Sequence, residues 1–133
     1  MDVIEFISTV YLGDRGCRSI LIDSWESEVK IGVDCISRVR SENWDCYIDE
    51  DIRDGYLVFE NVRALKFDPA GYIPNDAIND MRAEALKNGV SKYLITMSID
   101  SVDDLGDRTE VKISIHADSM ALETSFPSER IVR

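Results

Sequence analysis

The chain has 133 residues, a net charge of −11 and a sequence pI near 4.4. This length predicts one domain, residues 1–133, that can bury a core of its own. Nucleic acids bind basic stripes and anionic membranes attract polybasic segments, so the charge argues against both classes of partner. The plain interpretation of the charge is solubility, and the alternative is a basic protein partner, whose approach the negative field would steer.

The three cysteines, Cys17, Cys35 and Cys46, form no Cys-x-x-Cys pair, which argues against a disulfide framework and against a zinc site. The first residues lack the basic region of a secretory signal, and no apolar run approaches the ~20 residues that span a bilayer. These features predict a reduced, cytoplasmic setting. No Walker loop or dinucleotide fingerprint is present, so no cofactor is predicted.

Most of the chain carries strand signals, which are β-branched and aromatic enrichment or period-2 alternation. The predicted strands are residues 4–12, 18–25, 28–39, 56–67, 92–100, 110–117 and 120–126. A glycine-containing reversal joins the first two, which predicts a β-hairpin between them. A broken alternation near Ile36 predicts a bulge, and residues 44–48 form either a short edge strand or part of a long loop. The tail from Ser128 is expected to fray.

Residues 54–76 are the most informative stretch for the architecture. Asp54-Gly55 predicts a turn, and residues 56–67 predict a central strand that crosses the core. Residues 75–88 have helical spacing of apolar positions, with capping residues at the start and Gly89 at the end. This segment is therefore the one predicted helix.

These elements predict a mainly β, strand-rich α+β fold. It is a single-domain antiparallel sandwich or partly closed barrel of about seven strands, with one helix near residues 75–88 over an open end or face. Parallel βαβ winding is excluded because its helices are missing.

The densest acidic cluster lies in residues 42–54 and is interleaved with aromatic residues. Asp49-x-Asp51 resembles the start of a calcium loop, but Arg53 and Gly55 break the required pattern. We interpret the segment as a solvated acidic loop that forms a protein-binding surface with aromatic anchors. The candidate binding residues are Trp44, Asp45, Tyr47, Asp49, Glu50 and Asp51.

A second acidic loop covers residues 100–110. If the two loops met in the fold, their carboxylates could share a divalent cation or hold a small molecule. The alternative function is therefore a small-molecule or cation-binding domain, including a hydrolase that uses paired carboxylates. No metal ligand set is assigned from the sequence.

Nucleophilic catalysis needs a nucleophile and a base brought together in space. His116, the one histidine, falls on the polar face of its strand, which predicts a surface imidazole. Cys35 falls on an apolar face and is interpreted as a small core residue. No catalytic residue is assigned, and a non-enzymatic role is favoured.

Five aromatic residues fall near predicted turns, and we interpret them as half-buried lids, with interface anchors as the alternative. They are Trp25, Trp44, Tyr47, Tyr56 and Tyr72.

Four phrases of the sequence carry a resemblance to known proteins. They are Tyr-Leu-Gly-Asp-Arg at 11–15, Ile-Ser-Arg at 36–38, Asp-Gly-Tyr-Leu-Val-Phe-Glu at 54–60, and Pro-x-Gly-x-x-Pro-Asn-Asp at 69–76. Together they resemble a family of small uncharacterised bacterial proteins, a domain of unknown function. Compact acidic proteins of this kind are similar to the immunity partners of bacterial toxins, which implies a protein-binding role. Homodimerisation through a sheet edge is compatible with that role.

Overall fold

The computed structural model describes residues 2–39 and 51–133. One helix and ten strands lie within these ranges. They are α1 (Val3–Ser8), β1 (Val10–Tyr11), β2 (Cys17–Asp23), β3 (Glu28–Arg38), β4 (Ile52–Glu60), β5 (Ala64–Asp68), β6 (Ile78–Ala85), β7 (Tyr93–Val102), β8 (Arg108–Ala117), β9 (Ser119–Glu123) and β10 (Arg130–Ile131).

The strands form two antiparallel sheets and no closed barrel. The first sheet has the order β1-β3-β4-β9-β10, and β2 also pairs with β3. The second sheet has the order β5-β8-β7-β6. The predicted mainly β, antiparallel fold is confirmed, although the strands within the described ranges outnumber the seven that were expected.

The core lies between the two sheets and follows the period-2 pattern of the strands. Ile95, Met97 and Ile99 of β7 are fully buried beside Ile113 and Ile115 of β8. Met97 lies opposite Ile113 across the ladder, and Ile95 lies opposite Ile115. Alternate residues of β3, β4 and β9 supply the facing layer. Each of these aliphatic side chains contributes roughly 1.5–3 kcal/mol through burial.

The helix predicted at residues 75–88 is wrong, because this segment contains β6, an edge strand of the second sheet. The pairing register of β6 with β7 shifts between Ile78 and Asp80, which marks a bulge at Asn79. The extra residue lets Ile78 and Met81 both pack on the core, so their spacing imitates one face of a helix. Pairing with β7 outweighs the local helical signal.

The one helix in the described ranges lies instead at the start of the chain, where a strand was predicted. Asp2 caps α1, because its Oδ1 accepts a hydrogen bond of 2.8 Å from Glu5 N. Val3 and Phe6 point into the core. No helix within the described residues is long and apolar enough to cross a membrane.

The hairpin predicted between residues 4–12 and 18–25 is also wrong. β1 and β2 do not pair with each other, because each pairs with a different part of β3. The hairpin that forms is β2–β3. Its turn is closed by Asp23 Oδ1, which accepts a hydrogen bond of 3.0 Å from Glu26 N.

The central strand predicted at residues 56–67 is two strands in different sheets. β4 ends at Glu60, and Asn61 begins the crossover to β5 with φ of 53°. The predicted Asp54-Gly55 turn lies inside β4. Gly55 is required there because a Cβ would lie 2.6 Å from Ile52 Cγ2 and 3.1 Å from Glu123 O.

The C-terminal strand pairs with the first sheet, so the prediction that the tail frays from Ser128 onwards is wrong. β10 pairs with β9, and Arg130 lies opposite Glu123. The guanidinium of Arg130 reaches across the outer face of the sheet to Glu28 and Glu60 as well. Val58 and Ala121 lie on this outer face between the strands that carry these ionic side chains, and both are fully buried.

Candidate functional site

Five of the six predicted binding residues, Trp44, Asp45, Tyr47, Asp49 and Glu50, lie outside the described residues, as do the strand or loop at 44–48 and Cys46. The sixth, Asp51, immediately precedes β4 and is exposed.

Asp51 belongs to a short series of hydrogen bonds that also includes Ser37 and Arg15. Ser37 Oγ donates to Asp51 Oδ1 at 2.5 Å and accepts from Arg15 Nη2 at 2.9 Å. The Nε atom of Arg15 is buried and has no hydrogen-bond partner among residues 2–39 and 51–133. One carboxylate oxygen of Asp51 is therefore already engaged within the protein.

The second acidic loop folds as the turn between β7 and β8, as predicted. Asp103 Oδ1 accepts hydrogen bonds from Leu105 N and Asp107 N, so this side chain organises the turn. Asp100 is buried and accepts from Arg108 at 2.6 Å and from Asn79 at 2.8 Å. The part of the chain that the structure describes brings together no group of three His, Cys, Asp or Glu residues that could hold a metal ion.

The described thiols and the imidazole do not form a nucleophile–base pair. Cys17 and Cys35 belong to the first sheet, whereas His116 lies on the outer face of the second. Burial raises the pKa of Cys17 to about 11, and the hydrogen bond that the thiol donates to Ser19 O lowers it by less. Burial also raises the pKa of Cys35, which is half-buried. Raised thiol pKa values oppose nucleophilic reactivity.

The β2–β3 hairpin carries the largest exposed aromatic side chain in the described residues. Trp25 in the turn is 93% exposed, so its interpretation as a half-buried lid is wrong. Leu21 and Ile22 of β2 are 47% and 59% exposed. We call Leu21, Ile22 and Trp25 the hairpin surface. Tyr72 is also exposed, and Tyr56 is half-buried.

The hairpin surface lies on a strand whose outer edge has no strand partner among the described residues. β2 pairs with β3 on one side; on the opposite side Cys17 N donates to Asp76 O at 2.8 Å, and no described strand pairs with the rest of β2. Leu21 lies opposite Lys30, and Ile22 lies opposite Val29, so the two side chains point to opposite faces of the sheet. Natural proteins usually blunt such an edge with charges, prolines or covering elements.

The turn of the hairpin is acidic. Asp23 and Glu26 flank Trp25 and are exposed. Within the described ranges neither forms an ion pair, whereas Arg18 near the other end of β2 is paired with Asp54. The apolar side chains therefore lie beside uncompensated negative charge.

A family model described as a family of unknown function, DUF6258, matches residues 1–133. The chain belongs to this family. The family match confirms the resemblance to a domain of unknown function over the whole chain. No curated protein and no solved structure matches this chain.

Leu21 and Ile22 were absent from the sites predicted from the sequence. The run Ile20-Leu21-Ile22 predicts a strand with apolar residues on both faces, which is typical of a buried strand. Ile20 is partly buried against the core, as that pattern indicates. Whether such a strand is buried or lies at an exposed edge depends on strand order, and strand order cannot be determined from the local sequence.

Proposed function

We propose that this protein is a non-enzymatic protein-binding domain that engages a basic protein partner through the hairpin surface. The observation that carries the proposal is the exposure of three large apolar side chains on β2 and its turn, where the outer edge of β2 has no strand partner among the described residues. Exposed apolar groups rimmed by polar residues are typical of protein–protein interaction sites.

Trp25 is the expected anchor of the interface. Tryptophan is enriched among the residues that dominate binding energy. Burying about 200 Å² of this side chain at ~25 cal/mol per Å² would contribute on the order of 5 kcal/mol before the costs of association. Leu21 and Ile22 point to opposite faces of the sheet, so a partner bound along β2 would contact one of them on each face. An extended segment of the partner could then pair with the outer edge of β2 and add main-chain hydrogen bonds.

The charge of the chain favours a basic partner. Asp23 and Glu26 flank the proposed anchor, and the net charge of −11 would accelerate the approach of a cationic surface. The specific form of the proposal is an immunity-like role in a bacterial cytoplasm, in which the acidic protein neutralises a basic toxin domain. The likeness to immunity proteins is an analogy of composition and size.

The test is affinity capture from a native lysate, with the wild-type protein and Trp25→Ser as baits at low and moderate salt. We expect one stoichiometric protein that wild type retains, that Trp25→Ser loses, and whose retention by wild type falls as salt rises. Leu105→Ser is the matched control, because Leu105 is 86% exposed in a different turn. Equal retention by all three baits would contradict the proposal, and so would a partner whose capture is indifferent to salt.

The alternative of a cation-binding site between the acidic loops receives less support. Such a site would use residues 42–50 of the first loop, which lie outside the described residues. Asp100 and Asp103 of the second loop are already engaged by protein donors. The hairpin surface remains the site that the geometry favours.

A further inference from the structure

A groove opens at one end of the second sheet. Its walls are the start of β5, the end of β8 and the connection between β6 and β7, and its volume is about 490 Å³. That volume is within the range of small-molecule sites. Ala64, Leu86 and Val90 supply apolar wall, and His116 lies half-buried beside them. We call this feature the His116 groove.

The register of the second sheet explains why His116 lines the groove. His116 lies opposite Ala64 on β5 and opposite Leu94 on β7, on the face of the sheet that points away from the core. The backbone N–H of Arg63 donates a hydrogen bond of 2.9 Å to His116 O, which holds Arg63 beside the end of β8. Leu86 N donates to Lys92 O at 2.8 Å, which closes the neighbouring loop. Backbone hydrogen bonds therefore fix both the segment before β5 and the loop between β6 and β7.

Two cations frame this groove in a chain that is otherwise strongly acidic. Arg63 and Lys87 both line it, and neither forms an ion pair among residues 2–39 and 51–133. The nearby carboxylate of Asp118 is already engaged, because it accepts from Lys92 N at 3.0 Å and from the Asn61 amide. The hydrogen bonds from Lys92 N and Asn61 lower the pKa of Asp118, and the charge of Arg63 adds a smaller lowering. Arg63 is therefore partly compensated by Asp118, whereas Lys87 forms no ion pair within the described ranges.

We propose that the His116 groove binds a small organic carboxylate with an apolar body. The apolar body would lie along Ala64, Leu86 and Val90, and the carboxylate would lie between Arg63 and Lys87. This combination of an apolar wall and a few placed polar groups is the usual design of a small-ligand site. The proposal does not require a protein partner, and Arg63 and Ala64 of the groove also line a neighbouring cleft with Ile22 of the hairpin surface.

The test uses hexanoate, hexan-1-ol and hexylammonium as probes, with binding followed by amide chemical shifts in nuclear magnetic resonance spectra of the whole protein. We expect hexanoate to shift the amides of Ala64, Val90 and His116 saturably in the millimolar range, as the size of the ligand implies. Hexan-1-ol should bind more weakly than hexanoate, and hexylammonium more weakly still.

The double variant Arg63→Gln/Lys87→Gln should weaken hexanoate binding by about fivefold, since two solvent-exposed charge contacts are lost. The double variant Arg82→Gln/Lys112→Gln changes the net charge equally on exposed positions outside the groove, and its affinity for hexanoate should match wild type. The spectra also report whether each variant is folded. The proposal is overturned if no saturable shift occurs, if hexanol binds as well as hexanoate, or if both double variants lose affinity equally.

Discussion

Replacing Arg130 by Gln tests whether the ionic cluster on the outer face of the first sheet holds the C-terminal strand. Arg130 Nε donates to Glu123 Oε2 at 2.9 Å, and Nη1 donates to Glu60 Oε2 at 2.9 Å. Nη1 and Nη2 together bind both oxygens of Glu28, at 2.8 and 2.9 Å. The substitution removes all these charge-assisted contacts, so Glu123 keeps its ion pair with Lys30 while Glu28 and Glu60 lose their ion pairs with Arg130.

The size of the effect follows from the exposure of the groups. The side chain of Arg130 is 35% exposed, while those of Glu28 and Glu123 are 16% and 11% exposed. Exposed ion pairs contribute roughly 0.2–1 kcal/mol each because water and salt screen them. With three pairs, one of them bidentate, we expect Arg130→Gln to lower the free energy of unfolding by about 2 kcal/mol near neutral pH.

This loss should depend on pH with a definite sign. The hydrogen bonds from Arg130, above all, lower the pKa of Glu28 below its ordinary value of 4.5. For Glu123 the largest single effect is burial, which raises the pKa. The hydrogen bonds and charges of Lys30 and Arg130 together outweigh burial, so the pKa of Glu123 is also lowered. A lowered carboxyl pKa contributes stability above the unfolded value that is lost as pH falls through the folded value. The difference between wild type and variant should therefore be complete above about pH 5 and shrink below it.

The assay is urea unfolding followed by circular dichroism at several pH values between about 3 and 7. Arg82→Gln is the control, because Arg82 is exposed and lies 4.0 Å from Asp80, and its effect should stay within about 0.5 kcal/mol. An Arg130→Gln loss that is the same at every pH would refute the electrostatic argument. Such a result would mean that Arg130 stabilises the sheet by covering Val58 and Ala121 rather than by its charge.

Two further predictions concern buried groups, and each has a direct measurement. Asp100→Ala should destabilise the protein by about 2 kcal/mol, because Asn79 and Arg108 lose their buried acceptor, and equal urea midpoints for variant and wild type would contradict this. In a Cys35→Ser/Cys46→Ser variant, the remaining Cys17 should react with a disulfide reagent only as fast as the protein opens, since burial raises its pKa to about 11. A reaction at the rate of a free thiol in the folded protein would show that Cys17 is accessible.

The strands that bury one complete face were predictable from the sequence. Residues 92–100 and 110–117 alternate strictly, and the structure places their apolar positions in the core of β7 and β8. Residues 29–33 behave in the same way in β3, before the break in alternation near Ile36. The period of two is imposed by the pleat itself, so it can be detected without knowledge of neighbouring strands.

The segments that were wrongly predicted are those whose state depends on a distant partner. Ile78 and Met81 have helical spacing, but a bulge at Asn79 and pairing with β7 make the segment a strand. The opposite error occurred at Val3–Ser8, where β-favouring residues form a capped helix because Val3 and Phe6 fill the core. In both places tertiary contacts outweigh local preferences of about 1 kcal/mol.

The sequence by itself determined the β-rich class, the alternating core strands and the acidic charge that disfavours nucleic acid, because each depends on composition or local period. Only the tertiary structure decided that β2 pairs with β3 alone among the described strands, that Trp25 is exposed, and that Arg63, Lys87 and His116 line one groove. The physical reason is that exposure and proximity depend on strand order, and strand order is set by contacts between residues far apart in the chain.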